Sequence, residues 1–335
     1  MKVLVTGATG VIGAWALRSL VDAGHETVGL NRGMTTVGNG ILGDRAKQVE
    51  WVRCDLLDGL AVASVVKRTD PDVIAHLASA KPWQMDVGFV PRPDPPLGVH
   101  AIVDGTLNVL ESARLLGVRR VVYASSKAAY GDFAGPYTYP AYQPVPEDYP
   151  PTPDSIYGIT KLCAEQLGLY YRDHLGVDFV ALRLAATYGP FKRGSVNTPN
   201  GLIGAAAEGR VSKGRFSEHE YYEEKEELVY NRDVGEAFRL ACEAEPTRDA
   251  VFNIGSGALT TVAEVVEAIK AVPQARLPEI EIVEDGRPAR EPGARSGHCL
   301  FDETRAAQQL GFEPSYGLAA GVADTVDVVA AAAKR

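Results

Sequence analysis

Short apolar, β-branched runs alternate with stretches of helical spacing through the first half of the chain. Val3-Leu-Val5 predicts a strand, and apolar positions from Val11 to Ala23 recur at helical spacing. Three more strands are expected at Thr27–Leu30, Glu50–Cys54 and Val73–Leu77, and a helix from Asp104 to Leu116. Val121–Ala124 reads as a fifth strand, Tyr157 to Leu175 as a long helix, and Phe179–Leu182 as a sixth strand. The strand segments are nearly continuous in apolar residues, as they are when both faces of a sheet are covered. Strict alternation of strand and helix then predicts a doubly wound α/β fold with a parallel sheet. Such sheets take their ligands at the carboxyl ends of the strands.

Beyond Pro190 the pattern loosens. Residues 191–214 are rich in Gly, Asn and basic side chains, 217–227 in Glu and Tyr, and 273–292 are punctuated by proline. Val251–Ile254 reads as one more strand returning to the sheet. The expected organisation is a large domain of residues 1–190 plus 228–257, a smaller region of 191–227 and 258–316, and a C-terminal helix over 317–335.

The chain has 335 residues, 46% of them hydrophobic, enough for a large core with a smaller satellite. Its net charge of −9 reflects 43 acidic against 34 basic residues, the basic ones scattered, which argues against nucleic-acid and anionic-membrane partners. Cys54, Cys163, Cys242 and Cys299 lie far apart without C-x-x-C spacing, so free thiols are expected, with neither a disulfide frame nor a metal site. Met1-Lys-Val-Leu-Val5 runs directly into the first turn, leaving no room for a signal peptide, and no apolar run reaches membrane-spanning length. A soluble cytoplasmic protein is expected.

Thr6-Gly-Ala-Thr-Gly-Val-Ile-Gly13 follows the first strand and opens the first helix. Gly7, Gly10 and Gly13 permit a tight turn, close approach of a pyrophosphate, and packing of helix on strand. The helix N-terminus then faces the phosphates. This makes the fold Rossmann-type, the large domain dinucleotide-binding and the cofactor NAD(P), with Gly7, Thr9, Gly10, Val11, Ile12 and Gly13 at the pyrophosphate. At the end of the second strand an acidic residue normally accepts the ribose 2′-hydroxyl. Asn31 has no charge to repel a 2′-phosphate and Arg32 can pair with one, which favours NADP over NAD; a solvated surface arginine is the alternative. Tyr157 and Lys161, four residues apart, share one helix face. A neighbouring ammonium stabilises a phenolate, the tuning a proton-transfer catalyst needs.

On these residues the chain resembles the extended short-chain dehydrogenase/reductases, the NAD-dependent epimerase/dehydratase family. The resemblance spans nearly the whole length. It runs through Cys54-Asp-Leu56, His76-Leu-Ala-Ser79, Gly105-Thr-Leu-Asn108, Ala124-Ser-Ser126 with Tyr130-Gly131, Arg183 to Pro190, and Asn253-Ile-Gly-Ser-Gly257. It implies that Asp55 and Leu56 hold adenine, that Ala78, Ser79 and Ala80 lie along the nicotinamide, and that Ser126 binds the reacting oxygen. It also implies that Tyr157 exchanges the proton while Lys161 binds the nicotinamide ribose and lowers the Tyr157 pKa. Taken alone, Ser126 is equally a helix cap and Asp55 a turn residue.

The implied reaction is hydride transfer at a secondary alcohol or ketone carbon of a sugar-like small molecule. Net oxidoreduction is the first reading, redox-neutral sugar epimerisation with tightly held NAD the alternative, and a non-catalytic dinucleotide sensor a third. Family dehydratases carry Asp-Glu after the Ser126 position; Lys127 and Ala128 here argue against dehydration. Ala186 replaces an asparagine and Glu226 an arginine that touch the diphosphate of nucleotide sugars, so a substrate without a nucleotide is expected. Lys127, Thr187, Asn197, Arg287 and Arg290 are the candidate substrate contacts. The acidic stretch 217–227 is expected to be a solvated loop. Asp104 to Leu116 and Lys161 to Leu175 carry wide apolar faces, which the resemblance would pair in a homodimer and ordinary packing would lay on the sheet.

Overall fold

Alternating side chains of β1 (Lys2–Thr6) enter two different cores, Val3 and Val5 on one face of the sheet and Leu4 on the other. The chain continues through α1 (Val11–Asp22), β2 (Glu26–Asn31), β3 (Val49–Arg53), α2 (Gly59–Thr69) and β4 (Val73–His76). Next come α3 (Gly105–Leu116), β5 (Arg120–Ser126), α4 (Ile156–Leu175) and β6 (Asp178–Leu184). The protein is described as a computed structural model. It covers residues 1–32, 36–79, 83–85, 91–93, 95–192, 194–284 and 298–334, with no side chains considered at 36, 37, 39, 83–85, 91–93, 95 and 97. Ala80, Arg287 and Arg290 therefore lie outside the described residues.

The later part adds β7 (Ala186–Tyr188), α5 (Pro199–Glu208), β8 (Lys213–Ser217), α6 (Glu218–Tyr222), β9 (Lys225–Tyr230) and α7 (Asn231–Glu243). It ends with β10 (Val251–Ile254), β11 (Leu259–Thr261), α8 (Val262–Lys270), β12 (Glu279–Val283) and α9 (Leu318–Ala333). Seven parallel strands form the main sheet in the order β10-β6-β5-β4-β1-β2-β3. The direction of winding reverses between β4 and β1, the place where such sheets bind ligands. Strands expected from apolar runs all appear, most of them longer than expected, with β3 shifted back by one residue and β4 one residue shorter. Val251–Ile254 does return to the large sheet, on the edge beside β6. Helix α2 falls between two expected strands and had no assignment; Asp58 caps it by accepting from the Ala61 N–H at 2.9 Å.

Glycines end α3 and α4, with Gly117 at φ 73° and Gly176 at φ 72°. A three-stranded sheet, β7-β9-β11, and a parallel pair, β8 with β12, build the smaller part around a third core that includes Phe216, Leu228, Val265 and Val322. Residues 228–230 belong to this small sheet rather than to the large one. Among the described residues no helix is long and apolar enough to cross a membrane.

The acidic stretch corrects an expectation. It is not a solvated loop: Ser217 and Glu220 form a capping box that starts α6, and β9 follows. Glu227 is buried and accepts the backbone N–H groups of Ser256, Gly257 and Phe301 at 2.9, 2.9 and 3.0 Å. A carboxylate that satisfies three backbone amides is a structural anchor, which periodicity cannot reveal.

Candidate active site

The glycine loop is held from beneath by a buried chain of hydrogen bonds. His76 Nδ1 lies 2.7 Å from Thr6 Oγ1, which accepts the Ala78 N–H at 3.1 Å, and His76 Nε2 lies 3.0 Å from Thr106 Oγ1. Gly7 has φ 67°, and a Cβ there would sit 2.7 Å from the Ala78 backbone. A Cβ on Gly13 would meet the Gly7 carbonyl oxygen at 2.2 Å. Both glycines are thus required by close approach, as the motif predicts. Gly10, the residue before α1, gives no side-chain cap to the first helical amides.

Above this loop runs a cleft of about 390 Å³ lined by Gly7, Thr9, Gly10, Asn31, Arg32, Asp55, Leu56, Ala78 and Ser79, among others. Nine of the residues predicted for the cofactor therefore share one surface at the switch point. The remaining ones are placed differently. Val11 packs against the core, Gly13 lies under the loop, and Ile12 faces a second cavity. Asp55 also accepts the Leu57 N–H at 3.1 Å, so the turn role is real alongside its place on the cleft wall.

The second cavity, about 450 Å³, is lined by Ile12, Ser126, Lys127, Tyr157, Thr187 and Asn197 together with residues of the smaller part. Ser126 ends β5 and Tyr157 opens α4. They meet because Gly158 lets α4 approach the turn after β5; a Cβ there would lie 2.1 Å from the Ala128 carbonyl oxygen. Ser126 Oγ accepts the Ala128 N–H at 3.2 Å, so it is a cap, and it also hydrogen-bonds to Tyr157. One turn along, buried Lys161 donates to the Ala124 carbonyl at 2.6 Å, with its Nζ 4.8 Å from the Tyr123 ring centre and 5.6 Å from that of Tyr157. Burial pushes the Tyr157 phenol up, opposed by the Ser126 hydrogen bond. Burial brings Lys161 down to about 7, opposed by Glu165. Desolvation is the leading cause at both groups.

Behind this pair lies a buried ion pair that the sequence did not disclose. Arg183 donates to Glu165 from Nε and Nη2, and Ser125 Oγ donates to the same carboxylate. The network ties α4 to the ends of β5 and β6, fixing the strand end that carries Ser126.

The smaller part supplies the far wall with Lys192, Asn200, Glu220, Glu224, Glu226 and His298, of which only Glu226 was singled out beforehand. Lys192 lies two residues after Thr187-Tyr-Gly-Pro190, a position from which the sequence could have signalled it. Glu226 Oε1 lies 2.6 Å from Lys127 Nζ. The carboxylate expected to repel a substrate diphosphate is thus compensated by a cation from the opposite wall. Asn197 accepts the Arg215 N–H at 3.0 Å while facing the cavity.

A parallel sheet with a glycine loop at its switch point and a second cavity beside it defines a dinucleotide-binding α/β enzyme of the extended short-chain dehydrogenase/reductase type. The chain belongs to the NAD-dependent epimerase/dehydratase family, whose model matches residues 3–255. It is 32% identical over 340 residues to a UDP-glucose 4-epimerase of Mycolicibacterium smegmatis, covering 98% of each chain. A UDP-glucose 4-epimerase of Bacillus subtilis is 26% identical, covering 97% of this chain and 96% of that one. The structure of Thermus thermophilus UDP-glucose 4-epimerase in complex with NAD superposes with a TM-score of 0.76 at 27% identity, covering 98% of this chain and 99% of that one.

Proposed function

We propose that the chain is a redox-neutral 4-epimerase of a nucleotide-linked sugar, oxidising and re-reducing one secondary carbinol with NAD. The observation that carries this reading is the Ser126–Tyr157 hydrogen bond on the wall of a cavity that also reaches Ile12 of the glycine loop. Two hydroxyls converge there on the position of a substrate oxygen. Ser126 binds that oxygen, and Tyr157 takes its proton and returns it. Lys161 spends one of its N–H groups on Ala124, which leaves two for a ribose. NAD, when bound, supplies the hydride acceptor and donor. Gly7 to Gly13 would hold its pyrophosphate, Asn31 and Arg32 a ribose, Asp55 and Leu56 the adenine, and Ala78 to Ala80 the nicotinamide side.

The names of the relatives support epimerisation over the net oxidoreduction expected first. The bound NAD of the Thermus enzyme likewise gives no support to the NADP preference inferred from Asn31 and Arg32. Inverting a carbinol requires the oxidised sugar to present its other face, and small residues on the wall (Ala185, Ala186, Thr187) leave room for that. Glu226 favours one competing reading, a hydroxylated substrate without a diphosphate, although Lys127 offsets its charge. The substrate-binding region is assigned to 191–227 and 258–316. A homodimer is supported by exposed Leu107, Leu115 and Leu116 on α3 and Ile159, Tyr170 and Leu175 on α4.

The test is incubation with NAD and UDP-glucose or UDP-galactose, following interconversion by NMR and assaying the purified protein for retained cofactor. Catalytic interconversion without net NADH formation is expected. Stoichiometric consumption of NADPH with no epimer formed would overturn the reading in favour of a reductase.

A further inference from the structure

Helices α1 and α7 pack closely, since a Cβ on Gly235 would lie 2.7 Å from the Trp15 backbone. Along this contact, Trp15, Arg18 and Asp22 of α1 and Arg232, Glu236 and Arg239 of α7 flank a cleft of about 520 Å³. None of its lining residues belongs to the dinucleotide cleft or to the cavity at Tyr157.

The carboxylates of this cleft are already engaged. Asp233 accepts the N–H groups of Ser315 and Tyr316 at 3.0 and 3.1 Å. Glu236 accepts from Ser19 Oγ at 2.6 Å and from Arg239, and Asp22 accepts from Arg45. The donors are not. Trp15 is 1% exposed, yet its indole N–H has no hydrogen-bond partner, and Arg18 Nε is equally buried without one. The nearest carboxylate oxygen to Arg18 Nε is that of Asp22 at 3.9 Å, and Arg232 Nη1 is 3.8 Å from Asp324. Both guanidiniums lie against the same indole, 4.9 and 6.0 Å from the Trp15 ring centre, with Arg232 also 5.2 Å from that of Tyr316. Burial first, and then Arg45 and Arg232, hold the Arg18 pKa below its usual value, opposed by Asp22 and Asp324.

Two buried donors left without an acceptor, Trp15 Nε1 and Arg18 Nε, call for one from outside. Guanidinium pairs match the geometry of tetrahedral oxyanions. We infer that this cleft binds a phosphate or phosphoryl group between Arg18 and Arg232, with the Trp15 indole N–H as a third donor.

The experiment measures thermal unfolding of the full chain in saturating NAD, which covers the glycine loop, while inorganic phosphate is titrated against sodium chloride at matched ionic strength. A saturable rise in Tm with phosphate alone is expected. Arg232→Gln, at a half-exposed position, should remove it, and Trp15→Phe should raise the half-saturating concentration several-fold. Glucose 1-phosphate titrated in parallel separates the two sources: tighter binding of the ester assigns the site to a phosphoryl group, and tighter binding of the ion assigns it to free phosphate. A Tm response that persists unchanged in Arg232→Gln, or no saturable response to either ligand, would overturn the assignment.

Discussion

Burial sets the resting state of the proton-transfer pair. With the Tyr157 phenol pushed up and Lys161 brought down to about 7, the protein without NAD holds Tyr157 protonated near neutrality and Lys161 close to its midpoint, so the phenolate that takes the substrate proton has to form in the NAD complex. Tyr157→Phe keeps the ring and its packing and removes only the transferable proton. Turnover is expected to fall by about 10²–10⁴-fold while the dissociation constant for NAD stays unchanged. Steady-state kinetics together with calorimetric NAD titration check this, and retained activity would remove Tyr157 from the mechanism. The pair was visible from its spacing. Gly158, which brings it to Ser126, was not, because close approach to Ala128 is a property of two segments about thirty residues apart.

At the scale of elements, α4 is fastened to the sheet by a second glycine. A Cβ on Gly168 would lie 2.2–2.4 Å from three ring atoms of Phe179 on β6. Alanine ordinarily stabilises a helix relative to glycine. Here overpacking outweighs propensity, and Gly168→Ala is expected to cost about 1–3 kcal/mol in urea unfolding. A neutral or stabilising result would mean that the helix can move away from Phe179. The opposite face of α3 carries Leu115, 64% exposed. If α3 and α4 pair across a two-fold axis, Leu115→Glu should shift the protein from dimer to monomer in light scattering while leaving its far-UV spectrum unchanged. A mutant that remains dimeric would place the interface elsewhere.

Across the whole molecule, two buried carboxyls mark where the large sheet meets the smaller part. Burial pushes Glu227 up to about 7 and Glu303 up to about 8, each held lower by backbone N–H donors. Their oxygens converge on Gly255, where a Cβ would meet Glu227 Oε1 at 2.2 Å and Glu303 Oε1 at 2.6 Å. Folded pKa values raised above the ordinary 4.5 favour the protonated form in the native state. The stability they contribute is complete below about pH 4.5 and is lost as the pH rises through 7 to 8. Denaturant unfolding at pH 6 and pH 9 should therefore differ by up to about 4 kcal/mol, the protein being weaker at pH 9. Glu303→Gln mimics the protonated form and should flatten that dependence. An unchanged slope would show that Glu303 is ionised without penalty.

The first 190 residues were legible, α2 apart, because their strands and helices declare themselves locally. Apolar runs mark strands buried on both faces, helical spacing marks the covering helices, and the glycine loop combines its turn, approach and packing roles within eight residues. These signals determined the parallel sheet, the dinucleotide cleft and the Tyr157–Lys161 pair. Beyond Pro190 the strands are short and carry charged side chains, so 217–227 read as a polar loop. Only the tertiary structure turned Glu227 into a loop anchor, paired Glu226 with Lys127, and set Glu165 against Arg183. The reason is physical: a local pattern reports which face of an element is buried, but a charge is defined by its partner. Each of these partners lies 18 to 99 residues away.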